Sequence, residues 1–224
     1  MNLVALFSGG KDSTKAILEA VKGGHEIKYL ATVHCKNPDS FMYHTINIGL
    51  TFMQSRCMNI QLISKESFGK KEEELKDLEI LLNDLDVDGV VCGAIASKYQ
   101  KERIENVCKK LKLKLLAPLW GKPPEELLKE MVNEGFEIVI SAVAAEGFDE
   151  TWLGRRIDED CIKDLVELKK KYGISVVGEG GEMETFVLDC PLFKKKIMIT
   201  KAEKIWEINN GTFEIKDAKM IEKI

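Results

Sequence analysis

The six residues Ser8-Gly9-Gly10-Lys11-Asp12-Ser13 limit what this chain can fold into more than any other segment. They follow an apolar run, residues 3–7, that reads as a buried strand, and they open residues 13–22, which read as a helix stopped by Gly23-Gly24. At a strand-to-helix junction the backbone N–H groups and the helix dipole converge, and what they attract is an anion. Two glycines allow the backbone close to phosphate oxygens that a Cβ would obstruct. Ser8 and Ser13 add hydroxyl donors and Lys11 adds a positive charge. Asp12 is the odd member, because a carboxylate beside phosphates repels them unless a divalent cation lies between, so Asp12 is assigned to Mg²⁺. The spacing of glycines and lysine is not that of the G-x-x-x-x-G-K-[ST] phosphate loop.

Downstream, short apolar runs alternate with amphipathic helical segments. Strands are expected at 27–33, 60–63, 87–92 and 114–116, with helices at 44–58, 70–84 and 98–111 between them. In the second of these helices Leu75, Leu78, Leu82 and Leu85 form one stripe. Strands separated by helices of this length indicate βαβ units and a doubly wound parallel sheet covered on both faces. Proline-rich punctuation, Pro118 to Pro124, puts the boundary near residue 121, giving a nucleotide-binding domain at 1–120 and a smaller α+β domain at 121–224. The second domain is expected to hold helices at 124–134 and 159–172 and strands at 137–143, 185–188, 197–200 and 205–208.

Charge argues against a nucleic-acid surface. Residues 1–120 carry 17 basic and 15 acidic side chains, a net of +2, whereas residues 121–224 carry 16 and 22, a net of −6. The acidic second half offers no basic cluster for a phosphate backbone. No apolar run approaches the ~20 residues a membrane helix needs, and the start of the chain lacks the basic leader of a secretory signal, so the expected compartment is the cytoplasm. None of the six cysteines forms a CxxC pair, and most lie in apolar stretches, as small buried hydrophobes do in a reducing compartment.

The Ser8–Ser13 segment resembles the SGGKDS signature of the PP-loop ATP pyrophosphatases. That resemblance implies a HUP-type doubly wound sheet, ATP as cofactor, and AMP with pyrophosphate as products. In such a fold the nucleotide lies across the carboxyl ends of the strands at the switch point. Val33, at the end of strand two, then flanks adenine, and Gly93, after strand four, is either a nucleotide contact or only a turn residue.

Three more segments narrow the resemblance: Ser40-Phe41-Met42-Tyr43-His44-Thr45, the stretch from Glu146 to Arg156, and Glu179-Gly180-Gly181-Glu182-Met183-Glu184. Together with the loop they resemble the diphthine–ammonia ligase family over about residues 3 to 200. The resemblance implies that the chain adenylates the carboxylate of diphthine, a modified histidine of translation elongation factor 2, and that ammonia then displaces AMP to give the amide. The family's acidic signature maps onto Glu179, Gly180, Gly181, Glu182 and Glu184, with Met183 where relatives often have an aromatic residue.

Three carboxylates in six residues repel one another unless a cation joins them. They are either a solvated acidic turn or a pocket for the trimethylammonium group or ammonium. Tyr43, His44 and Trp152 can offer aromatic faces to a quaternary ammonium, or serve as ordinary core residues. Arg155 or Arg156 can clamp the carboxylate or the α-phosphate, the other being a surface charge. A PP-loop enzyme acting on another substrate, such as tRNA, is the alternative. Homo-oligomerisation is compatible with the sequence.

Overall fold

The computed structural model describes residues 1–35, 46–67 and 73–223. Tyr43 and His44, and with them the whole segment from Ser40 to Thr45, lie outside the described residues. The chain divides into two compact units, Met1–Gly121 and Lys122–Ile224.

The first unit is organised around β1 (Asn2–Leu6). Leu3, Val4 and Ala5 are wholly buried, because both faces of a central parallel strand are covered. Its neighbours are β2 (Glu26–Cys35), parallel with Leu6 opposite Ala31, and β4 (Gly89–Val91), parallel with Ala5 opposite Val91. β3 (Gln61–Ser67) adds beyond β2 and β5 (Lys114–Leu116) beyond β4, giving the order β3-β2-β1-β4-β5. The chain thus winds outward from β1 to β3, returns past β1, and winds the other way. The switch point lies between β1 and β4, and α1 (Lys11–Lys22) starts at its carboxyl edge.

Alternation along β1 sends Val4 and Leu6 into one cluster with Leu75, Leu78, Leu82 and Leu85. These leucines are the stripe of α3 (Glu73–Asn83) and the residues just after it, and α4 (Lys98–Lys110) completes the cluster with Ile104, Val107 and Cys108. α1 packs on β1, β2 and β4. The expected helix at 44–58 is shorter. Asn47 has φ 59°, in the left-handed region, so no α-helix runs through it; a 3-10 turn at Ile48–Leu50 then leads into α2 (Thr51–Met58). Asn59, φ 56°, ends that helix.

The second unit holds α5 (Pro124–Asn133) packed on α6 (Glu159–Tyr172), and a separate antiparallel sheet ordered β7-β6-β9-β8. Its strands are β6 (Glu137–Val143), β7 (Met183–Asp189), β8 (Lys195–Glu207) and β9 (Asn210–Glu222). The two short strands expected at 197–200 and 205–208 are one continuous strand, and β9 was not expected at all. β8 and β9 form a long hairpin exposed along much of both strands, so Lys201, Glu203 and Lys204 interrupt the apolar pattern while the pairing continues past a register shift at Lys201. Ile208 sits in the turn with φ 42° and 92% exposure, not in a strand.

β9 pairs with β6 only at Ala142 and Val143. Farther along β6, residues 154–157 take its place: Gly154 N donates to Ile140 O at 2.9 Å, Ile140 N to Arg155 O at 3.0 Å and Ile157 N to Ile138 O at 2.9 Å. That segment runs directly into α6, whose N-cap Asp158 accepts from Cys161 N at 2.8 Å, with Glu159 and Asp160 in the first turn. Asp158→Ala should therefore destabilise the fold by about 1 kcal/mol, read as a lower urea midpoint with an unchanged slope.

Candidate active site

The loop between β1 and α1 is shaped by its own polar atoms. Ser13 Oγ donates to Gly10 O at 3.1 Å and lies 3.3 Å from Ser8 Oγ, and Thr14 Oγ1 donates to Gly10 O at 2.9 Å. The helix N-cap is Gly10, which brings no side-chain acceptor, so nothing on that side chain competes with an external anion. Lys11 is 2% exposed, and its Nζ lies 2.9 Å from Asp12 Oδ2. Asp12 Oδ1 is buried and has no hydrogen-bond partner among the described residues. A buried carboxylate oxygen left in that state suits a cation ligand. Ser8, Gly9, Gly10, Lys11, Asp12 and Ser13 are therefore gathered in one place.

Two other segments close on this loop. A Cβ at Gly93 would lie 2.7 Å from Asp12 C and Ser13 N, so the residues after β4 touch the loop's backbone only because position 93 has no side chain. Gly93 is thus required by packing, whether or not it also meets a ligand. From α2, fully buried Gln54 donates Nε2 to Gly9 O at 2.9 Å. Val33 lies inside β2, with its side chain in the core. Since β1 ends at Leu6 and Phe7 N still donates to Ala31 O at 2.8 Å, the β2 backbone beyond Ala31 overruns its neighbour. Thr32 Oγ1 secures the overrun by donating to Phe7 O at 2.7 Å. Gln54 and Thr14 were not singled out from the sequence; each is a polar residue whose burial is visible only in the fold.

In the second unit the acidic loop folds around one of its own carboxylates. Glu182 Oε1 accepts from Ser175 N at 3.1 Å and Oε2 from Gly180 N at 2.8 Å, while Ala144 N donates to Glu182 O at 2.9 Å. Glu182 is therefore a brace for the loop, which differs from the expected role of binding a cation. A Cβ at Gly180 would lie 2.8 Å from Glu182 Oε1, and Gly181 adopts φ 88°. Met183 is 3% exposed and packs inward, which explains why a flexible thioether serves at that position. Glu179 and Glu184 are each partly exposed, Glu184 on β7 opposite Ala142.

The remaining candidates also find local partners. Trp152 is 6% exposed, packs edge-on against Phe148 at 5.0 Å, and carries the Arg155 guanidinium 4.6 Å from its centroid. Arg155 also holds Asp164 at 2.5 Å, and Arg156 pairs with Glu137 at 3.1 Å. The Trp152 face expected for a ligand cation thus carries the Arg155 guanidinium, and Arg155 is also paired with Asp164 of α6.

Comparison with known proteins bears on both units. Residues 1–115 match the model of the diphthamide synthase N-terminal domain, and residues 123–221 that of the diphthamide synthase C-terminal domain. The chain belongs to the diphthamide synthase family. Among its relatives, proteins named diphthine–ammonia ligase from Bos taurus and Danio rerio are each 40% identical over 92% of this chain, and 85% and 89% of their own lengths. One of the same name from Saccharomyces cerevisiae is 32% identical over 96% of this chain and 37% of its own length. A solved structure titled as a predicted subunit of tRNA methyltransferase from Methanocaldococcus jannaschii aligns with a TM-score of 0.48 at 17% identity, over 85% of this chain and 98% of that one.

Five of the six cysteines are described in their surroundings, and none of the five offers a ready thiolate. Cys57, Cys92, Cys108, Cys161 and Cys190 are all buried and free, and burial pushes the Cys108 and Cys190 thiols up to about 12 and the Cys161 thiol up to about 11. Among the described residues no group of three or more His, Cys, Asp or Glu side chains could hold a metal ion, and no helix is long and apolar enough to cross a membrane.

The tight approach at Gly93 carries a test. Gly93→Ala forces either the 92–97 segment or the α1 N-terminus to shift, which should cost about 1–3 kcal/mol in urea unfolding. Nucleotide affinity should fall with it, measured by calorimetry on the folded fraction.

Proposed function

We propose that this chain is an ATP-dependent diphthine–ammonia ligase. It converts the carboxylate of diphthine on translation elongation factor 2 to the amide and releases AMP and pyrophosphate. Membership of the diphthamide synthase family across both units is the observation that carries this reading. The loop chemistry supports it from below: a glycine N-cap, a buried lysine and a buried carboxylate oxygen fit a triphosphate with its cation.

In this reading Ser8, Gly9, Gly10 and Ser13 hold the phosphates by backbone and hydroxyl groups. Lys11 neutralises charge that develops as the Pα–O–Pβ bridge breaks, and Asp12 would hold Mg²⁺, which would add further neutralisation of the phosphates. The overrunning backbone of β2 beyond Ala31, Val33 included, flanks the adenine. An oxygen of the diphthine carboxylate bonds to the α-phosphorus as pyrophosphate leaves. Ammonia nitrogen then bonds to the acyl carbon, AMP departs, and the excess proton goes to solvent. In the second unit Glu179 and Glu184 are assigned to the cationic partner, diphthine's trimethylammonium group or ammonium. Glu182, Gly180 and Gly181 shape the loop that presents them, and Arg155 and Trp152 hold the segment beside β6.

Incubation with ATP, ammonium and diphthine-bearing elongation factor 2 should yield AMP, pyrophosphate and the amide, read by chromatography and by the mass of the modified histidine. ADP and inorganic phosphate as products, or equal AMP formation with tRNA as acceptor, would overturn the proposal. Lys11→Ala and Asp12→Asn should each lower turnover roughly 10²–10³-fold, since each removes a charge contact that strengthens in the transition state.

Omitting ammonium separates the two half-reactions. Acceptor and ATP alone should accumulate the acyl-adenylate, or release AMP slowly through its hydrolysis, and added ammonium should restore rapid turnover. A rate indifferent to ammonium would remove ammonia from the scheme.

A further inference from the structure

We propose that Gln54 is a positioning residue for the phosphate loop: it holds the Gly9 carbonyl away from the anion and so fixes which side of the loop presents N–H groups. The proposal rests on the ATP reading above. Gln54 is wholly buried, and its Nε2 lies 2.9 Å from Gly9 O. A backbone carbonyl can only accept, so the amide must turn its NH₂ group toward it.

The peptide between Gly9 and Gly10 is trans, as are all described peptides. Its C=O and N–H therefore point in opposite directions. Drawing the carbonyl toward α2 directs the Gly10 N–H to the other side, where Ser8 Oγ accepts from it at a long 3.4 Å that an anion can displace, and keeps the negative end of that dipole off a phosphate. Gly9 has φ 79°, and a Cβ there would stand 2.5 Å from Gln54 Oε1 and 3.2 Å from Thr51 Cγ2. The glycine is thus needed as much for α2 to approach as for the backbone to turn.

The residue type is itself informative. A buried amide costs free energy unless bonded, and an apolar side chain of the same length would fill the space as well. At the loop, what the amide adds over methionine or leucine is the hold on Gly9. Because Gln54 is shielded from solvent, it acts through the loop and not on substrate.

Gln54→Met removes the donor at nearly constant volume, and Gln54→Glu removes it while adding an acceptor. Calorimetry with ATP, pyrophosphate and AMP on the full chain separates a loop effect from a general one. Both variants should weaken ATP and pyrophosphate roughly tenfold, as loss of one buried hydrogen bond implies, and leave AMP within about twofold. For Gln54→Glu, lowering the pH protonates the introduced carboxyl, which can then donate to Gly9 O. Its ATP affinity relative to wild type should recover accordingly, a response that mere loss of folding would not give. Unchanged ATP and pyrophosphate affinity in both variants, or AMP weakened as much as they are, would overturn the role of Gln54 alone. A wild-type protein that binds neither ATP nor pyrophosphate would remove the ATP reading and this proposal together.

Discussion

The first unit depends on close approach to glycines where no Cβ can fit. The Gly93 backbone lies against that of Asp12 and Ser13, and the Gly9 backbone against the Gln54 side chain, so two segments far apart in sequence close on one turn. Each contact is affordable because β1 is buried on both faces and cannot shift to relieve it. Sheet, helix α1 and loop are therefore one mechanical object. The strand order puts the switch point beside that turn, and the anion-binding end of α1 follows from the winding of the sheet.

Much of this was legible in the sequence because it is periodic or punctuated. The alternation of apolar runs and helical stripes foretold the parallel sheet, and Leu75, Leu78 and Leu82 do face the core. Where the pattern failed, the reason is physical. Asn47 reverses the backbone within what reads as one helix, and in the hairpin of β8 and β9 the charged residues that hide the strand from the eye also protect its exposed edge. The Ser8–Ser13 loop stood out because its residue types serve a ligand and not the core. Gln54 did not, since nothing in an eight-residue helix announces that a glutamine points inward.

The second unit shows the limit of reading charge without geometry. Three glutamates in six residues look equivalent on paper. In space Glu182 bonds the amides of Ser175 and Gly180, Glu184 lies along β7, and Glu179 sits in the turn that precedes both. Trp152 and Arg155 likewise have the right chemistry for a ligand but are matched to each other. A residue's partners, more than its type, decide whether it remains available.

The bonding of Glu182 to its own loop has a further consequence. A flexible acidic segment would lose conformational freedom each time it met a cation, and that loss would subtract from affinity. Here the ordering is complete once the chain has folded, because Gly180 and Ser175 are already tied to an internal carboxylate. On the proposed reading, a loop ordered in advance can discriminate by shape where charge attraction alone would accept any small cation.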